Sequence, residues 1–293
     1  MRIGAFELDE PVPELKEPHV IASLRPWIDV GSVGTLVLSW LEDHFDAEDL
    51  GRLARPGDYF DFTRYRPNIY MQDGKRQVNI PNTSVTFGKQ DNGNGLIFLH
   101  LLEPHNHSEE YVESVQQLLE KFDVKRYCLL GSMYDYIPHT RPLSVSGRSQ
   151  GGKTQKELEH VKLTRSNYQG PTTITSLIGQ EASARGVETM TFIVHLPQYT
   201  QMEEDYMGTV PMMEIISPLY SVPVDQSYIA KAEKQMGQVD SALDKNPQLK
   251  QIVEQLESHY DARAARKLEE EMPQLSPEVE TFLAEMDRRF SEE

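Results

Sequence analysis

The chain has one cysteine in 293 residues, no run rich in lysine and arginine, and no long apolar stretch. Each shortage removes a class of function. With Cys128 alone, intramolecular disulfides and thiolate metal clusters are excluded, which fits a reducing compartment, and the residue is expected to pack as a small apolar group in a strand. A formal net charge of −17 with no basic run to offset it repels phosphate backbones and anionic lipid. Neither nucleic acid nor a membrane is expected as a partner. The N-terminus, beginning Met1-Arg-Ile-Gly-Ala-Phe-Glu, carries no apolar leader core, and no run approaches the roughly 18 apolar residues that a membrane span needs. A cytoplasmic protein is the expectation.

What is present suffices for one large α/β core: 38% of residues are apolar and 9% aromatic. Residues 19–25, 96–102, 127–130 and 189–196 are apolar runs of strand length. Between them, Val33, Leu36, Val37, Trp40 and Leu41 recur at helical spacing, as do Val112, Val115, Leu118, Leu119 and Phe122. Asp29 or Ser32 is placed to cap the first of these helices and Ser108 the second. A third is expected over Thr175–Arg185, stopped by Gly186. This alternation predicts an α/β sandwich. Asp58–Thr63 also has strand character, and Asp73-Gly74 between Asn68–Gln72 and Lys75–Ile80 is a strong hairpin signal. Beyond about Asp225 the apolar runs stop and Lys, Glu, Gln and Ala dominate. We therefore divide the chain into an α/β domain, 1–224, and a helical extension, 225–293, that packs on the core or on a neighbouring subunit. Within the extension, Asn246-Pro247 and Ser276-Pro277 each look like a cap followed by proline at the first helical position.

The chemistry-bearing residues gather in Gly131-Ser-Met-Tyr-Asp135-Tyr-Ile-Pro138-His139-Thr140-Arg141-Pro142, read as an extended loop after the strand 127–130. Ligands of open α/β sheets meet the crevice outside strand carboxyl ends. Here Asp135, His139 and Arg141 are the candidates. Two other elements are weighed and set lower. Glu103-Pro104-His105-Asn-His107 offers imidazoles two apart, but no third metal ligand is fixed by spacing, so a polar loop is the reading and no metal is expected. Gly147-Arg-Ser-Gln-Gly-Gly152-Lys153-Thr154 satisfies the GxxxxGK(S/T) pattern of a phosphate loop. A polar sequel and the absence of a strand ending in a magnesium-holding aspartate favour a surface loop instead. No cofactor is expected.

Four segments together carry a family resemblance: Trp27-Ile-Asp29-Val-Gly31-Ser-Val-Gly34, Asp58 to Pro67 with Arg64 and Arg66, Gly131 to Pro142, and Tyr168-Gln-Gly170-Pro171-Thr172. In this order they resemble the PAC2 family, named after proteasome assembly chaperone 2 and sometimes given an ATP-grasp label. The resemblance implies a mixed-sheet, three-layer α/β fold similar to purine nucleoside phosphorylases and hydrolases. It also implies homo-oligomers, of which a trimer is the form expected, and some members that act as proteasome-assembly chaperones. Proteasome-engaging members end in hydrophobic-tyrosine-x, whereas this chain ends Arg289-Phe290-Ser291-Glu292-Glu293, so docking through the tail is not expected. The acidic helical extension looks like that of bacterial members.

Two functions follow. The first is a self-assembling, chaperone-like protein that binds a protein partner without catalysis, using Trp27, Asp29, Gly31, Gly34, Arg64, Arg66, Asp135, His139, Arg141, Tyr168 and Gly170 as a ligand or partner surface. The second is an enzyme or sensor for a small anionic or nucleoside-like ligand, with His139 as acid or base and Asp135 orienting it. Arg141 and Arg64 or Arg66 would hold the anion opposite the Gly31 helix end. Ser132 lacks the GxSxG elbow of a nucleophile.

Overall fold

The four apolar runs lie side by side at the centre of a nine-stranded sheet. The computed structural model describes residues 1–151, 157–158, 161, 163–164 and 169–271. In it, β3 (Lys16–Arg25), β8 (Asn94–Leu102), β9 (Arg126–Asp135) and β11 (Glu188–Pro197) run parallel in the order β8-β3-β9-β11. Shorter antiparallel strands extend both sides. On the β8 side come β7 (Ser84–Lys89), β4 (Glu48–Leu53), β2 (Phe6–Leu8) and β1 (Arg2–Ile3), and beyond β11 lies β10 (Val145–Gln150).

Both faces of the central strands must be covered, because their residues are apolar on both sides. Helices α1 (Val33–His44) and α4 (Tyr206–Tyr220) cover one face, around Ile21, Phe98, Leu130 and Phe192. Helices α2 (Ser108–Lys121) and α3 (Ile174–Ala184) cover the other, around Val20, Leu99, Tyr127 and Leu129. The result is the expected three-layer α/β arrangement. Cys128 is wholly buried in β9, where burial pushes its thiol up to about 12 and leaves it unreactive at neutral pH. Helix α5 (Gln226–Asp244), capped by Asp225 through the N–H of Ser227, packs on α4. Met1–Lys245 forms one compact unit. A second begins at Asn246 and contains α6 (Pro247–Glu271), whose Asn246 side chain accepts from the N–H of Leu249 as a cap should. The Ser276-Pro277 start lies outside the described residues. Among the described residues, no helix is long and apolar enough to cross a membrane.

Four expectations differ from the structure. Asp58–Thr63 is not a strand: Pro56–Asp58 is a 3-10 turn, and Asp61 accepts from both the N–H and the hydroxyl of Thr63, closing a local turn that competes with extended pairing. The strand ending at Leu130 instead runs to Asp135, because Gly131 to Asp135 pair in register with Ile193 to Pro197. Gly147 to Gln150, read as part of a surface loop, belongs to edge strand β10. Ser108 is the first residue of α2 rather than its cap, a position taken by His107 with no side-chain cap bond.

Candidate functional site

Because the four central strands are parallel, their carboxyl ends share one edge, and the turns that follow them bring the candidate residues together. After β3, Ile28 accepts from the N–H of Ser132 at 2.8 Å and Asp29 bridges to Ser132, so this turn is stitched to β9. The Asp29 carboxylate accepts from Gly34 N–H at 2.6 Å, from Thr35 N–H at 3.3 Å and from the Thr35 hydroxyl, capping α1. Burial pushes Asp29 above the usual carboxylate range against the pull of these bonds. The glycines here allow close approach. Gly31 has φ 63°, and a Cβ there would come within 2.6 Å of Asp205 Cβ; one on Gly34 would sit 2.9 Å from the Leu130 carbonyl. The positive end of α1 is therefore occupied by the chain's own carboxylate, and an incoming anion would meet Asp29.

At the end of β9 the expected Asp135–His139 pair does not form. Asp135 is still in the strand, and its register opposite Pro197 places it beside His195, two residues back on β11. Its carboxylate lies 2.8 Å from His195 Nδ1 and accepts from Tyr136 N–H at 2.7 Å, while His195 Nε2 is 3.0 Å from the Ser146 hydroxyl on β10. An acid–imidazole–hydroxyl relay thus crosses three adjacent strands. His139, beyond Pro138, is buried and held by other partners: Nδ1 lies 2.6 Å from the Tyr199 hydroxyl, and Nε2 lies 3.0 Å from Asp240 of α5. Its N–H also donates to the Tyr199 hydroxyl. Arg141 donates from Nη1 to the Thr140 carbonyl. Ser132 donates to the Val30 carbonyl, a packing role.

At the end of β8, Tyr65 donates to the Glu103 carbonyl, bringing the Arg64–Pro67 element to the same edge. Arg64 is exposed and 3.8 Å from Asp61; Arg66 is exposed. Glu103 caps α3 through Ile174 N–H, so Gly170 and Thr172, just before α3, lead into this edge as well. Its second oxygen is buried without a partner, and burial raises its pKa. His105 Nδ1 accepts from Asp61 N–H, and His107 faces Glu110, so the two imidazoles serve separate local structures. Among the described residues, no group of three ligating side chains is placed to hold a metal. After β11, Asp205 caps α4 through Gly208 N–H. It is fully buried, its other oxygen has no partner, and burial again raises its pKa.

Tyr168, Gly152, Lys153 and Thr154 lie outside the described residues. Gly147 sits mid-strand, with its N–H donated to the Thr164 carbonyl and its missing Cβ filled by Leu163. That backbone N–H is not presented to a phosphate.

A family model matches residues 23–243 and is described as the PAC2 family. The chain belongs to the PAC2 family. A comparison with curated proteins returns no match. Among solved structures, a Mycobacterium tuberculosis protein of unknown function is similar at 22% identity and TM-score 0.79, over 92% of this chain and 93% of that one. A proteasome-assembly chaperone homologue from the same organism is similar at 20% identity and TM-score 0.70, over 80% and 99%. An archaeal proteasome activator from Pyrococcus furiosus is similar at 13% identity and TM-score 0.65, over 83% and 99%. These likenesses establish the shared α/β fold.

Relative to the PAC2 motifs in the sequence, the structure adds His195, Ser146, Tyr199, Asp240, Glu103 and Asp205. Two carried readable signals. Asp205 stands before an apolar helical stretch, as a cap does, and His195 interrupts an otherwise apolar strand. Asp240 and Ser146 carried none, since only the fold brings them to the edge.

Proposed function

We propose that this PAC2 protein is a self-assembling, chaperone-like protein that binds a protein partner without catalysis, and that the carboxyl edge of its sheet is a contact surface. The supporting observation is a division of labour at that edge. Asp29 and Asp205 cap helices, Asp135 and His195 bond to each other, and His139 is held by Tyr199 and Asp240. Beside Arg64 and Arg66, the edge exposes two large aromatics: Trp27 and Tyr136, just past the ends of neighbouring strands, are 66% and 75% exposed. Large aromatics left in water at a rigid edge suit protein contact better than proton transfer. The names of the two similar proteasome-related proteins, a chaperone homologue and an activator, point the same way. A trimer in the cytoplasm is the form we propose. Light scattering and a pull-down from native extract test the reading, with Trp27→Ala and Tyr136→Ala expected to lose the captured protein. A strict monomer that captures nothing would sink it.

The relay Asp135–His195–Ser146 favours a second reading, an enzyme or sensor for a small anionic or nucleoside-like ligand. A serine nucleophile also needs donors for the developing oxyanion, commonly including the next backbone N–H. Here the N–H of Gly147 is consumed by Thr164. The relay is better placed to pin β10 to its neighbours. A thermal-shift screen with nucleosides, nucleotides and phosphate discriminates: a shift in the parent protein that His195→Ala abolishes would restore the second reading.

A further inference from the structure

The hairpin formed by β5 (Asn68–Gln72) and β6 (Lys75–Asn79) is the part of the described structure that the fold explains least. Residues 66–80 are exposed without interruption, and the two strands form a sheet of their own. The turn has positive φ at both central residues, Asp73 at 50° and Gly74 at 72°, which matches the right-handed twist of the strands. Ile69 pairs with Val78 and Met71 with Arg76. Side chains alternate, so Ile69, Met71, Arg76 and Val78 share one face and Ile80 continues it, while Tyr70, Gln72, Lys75 and Gln77 lie on the other. The four apolar members of the first face are 47–66% exposed. A lone two-stranded ribbon is marginal in water, and an uncovered apolar face of this kind marks a contact site.

Charge identifies the occupant. Residues 64–80 hold Arg64, Arg66, Lys75 and Arg76 against Asp73 alone, whereas the rest of the chain holds 25 lysines and arginines against 45 aspartates and glutamates. Two copies repel each other over most of their surface, and this arm is where attraction is available. Its complement lies on the same chain type. A shallow cavity of about 490 Å³ between β1 and the first half of α2 is lined by Ala5 and Tyr59 and by Glu109, Glu110 and Glu113, with Arg2 as its one cation. Glu110 pairs with His107 and Glu113 with Arg185, and Glu109 has no ion pair among the described residues. We propose that the hairpin of one copy docks, by the face that carries Arg76, over the acidic groove of a second copy, with Arg76 meeting the exposed Glu109 and Glu110. The inference rests on the self-assembly proposed above and names both of its surfaces. Arm and groove are different patches, so the contact is heterologous, and a rotation that closes makes a ring, as a trimer requires.

The test is light scattering across a dilution series, using variants at exposed positions that leave the folded unit intact. Ile69→Asp with Val78→Asp, and separately Glu109→Lys with Glu110→Lys, are each expected to weaken assembly at least 10-fold. Arg76→Glu weakens it alone, and combining it with Glu109→Lys and Glu110→Lys in one chain, where every arm again meets a groove of opposite charge, restores assembly. A parent oligomer that none of these variants alters overturns the arm-in-groove contact and leaves self-assembly standing. An arm variant that dissociates while the groove variant does not overturns the groove. A parent that is monomeric at every concentration overturns both, and assigns the arm to a different acidic protein.

Discussion

The carboxyl edge of the sheet and the hairpin at 66–80 sit in one compact unit and solve opposite problems. At the edge, polar and charged groups are drawn inward: three carboxylates, Asp29, Glu103 and Asp205, each cap a helix, and each is pushed to a raised pKa by burial. In the hairpin the backbone pairs locally while the apolar side chains face water. The polar motif residues of the edge are committed to holding the fold and leave Trp27 and Tyr136 exposed there, whereas the hairpin contributes almost nothing to the core and leaves both of its faces exposed. Motif density and availability for contact are therefore different properties in this molecule.

The edge breaks most easily where backbone approach is closest. Gly31→Val forces a branched side chain into left-handed φ and against Asp205 Cβ, and is expected to destabilise the protein by about 3 kcal/mol, read as a large fall in urea midpoint. A variant that melts like the parent would mean the turn is loose. Next in size is His139→Ala, which strips the buried ring from Tyr199 and Asp240 and should lower stability by about 2 kcal/mol. Asp240→Ala, whose side chain is largely exposed, should lose less than about 1 kcal/mol. If the two variants lose equally, the bond to α5 rather than burial of the ring holds His139.

Asp205 sharpens the comparison through pH. Its pKa is raised in the folded state, so the folded form holds the proton more tightly than the unfolded chain does. The stability this gives is full below the unfolded value of about 3.9 and is lost as pH rises through the higher folded value. Asp205→Asn keeps an oxygen for Gly208 and removes the titration, so urea melts of the variant should show a shallower loss of stability over that interval. An unchanged slope would place the charge in water. The smallest effect is expected in the hairpin: Ile69→Asp should move the stability of the dissociated protein by no more than about 0.5 kcal/mol, because nothing in its own chain covers that side chain.

The central strands, the three amphipathic helices that cross over them and the Asp-Gly hairpin were legible because each has a local cause: an apolar run, a 3.6-residue stripe or a two-residue turn. The outlying strands β1, β2, β4 and β10 were not, since short mixed segments become strands only when a neighbour supplies the pairing. The site was legible as a place and not as a wiring. Proline spacing correctly kept Asp135 and His139 from stacking in a helix, yet strand register gave Asp135 to His195 and left His139 to Tyr199 and Asp240. Such pairings span 60 to 101 residues of sequence and follow from the fold alone.

Amide hydrogen exchange at two protein concentrations tests the contrast most directly. The account predicts that the N–H groups of Gly34 and Thr35, bonded to Asp29, are protected at both concentrations, while residues 68–79 are protected only where copies associate and exchange freely on dilution. A hairpin that exchanges freely at every concentration, or one that stays protected in the isolated chain, would contradict it.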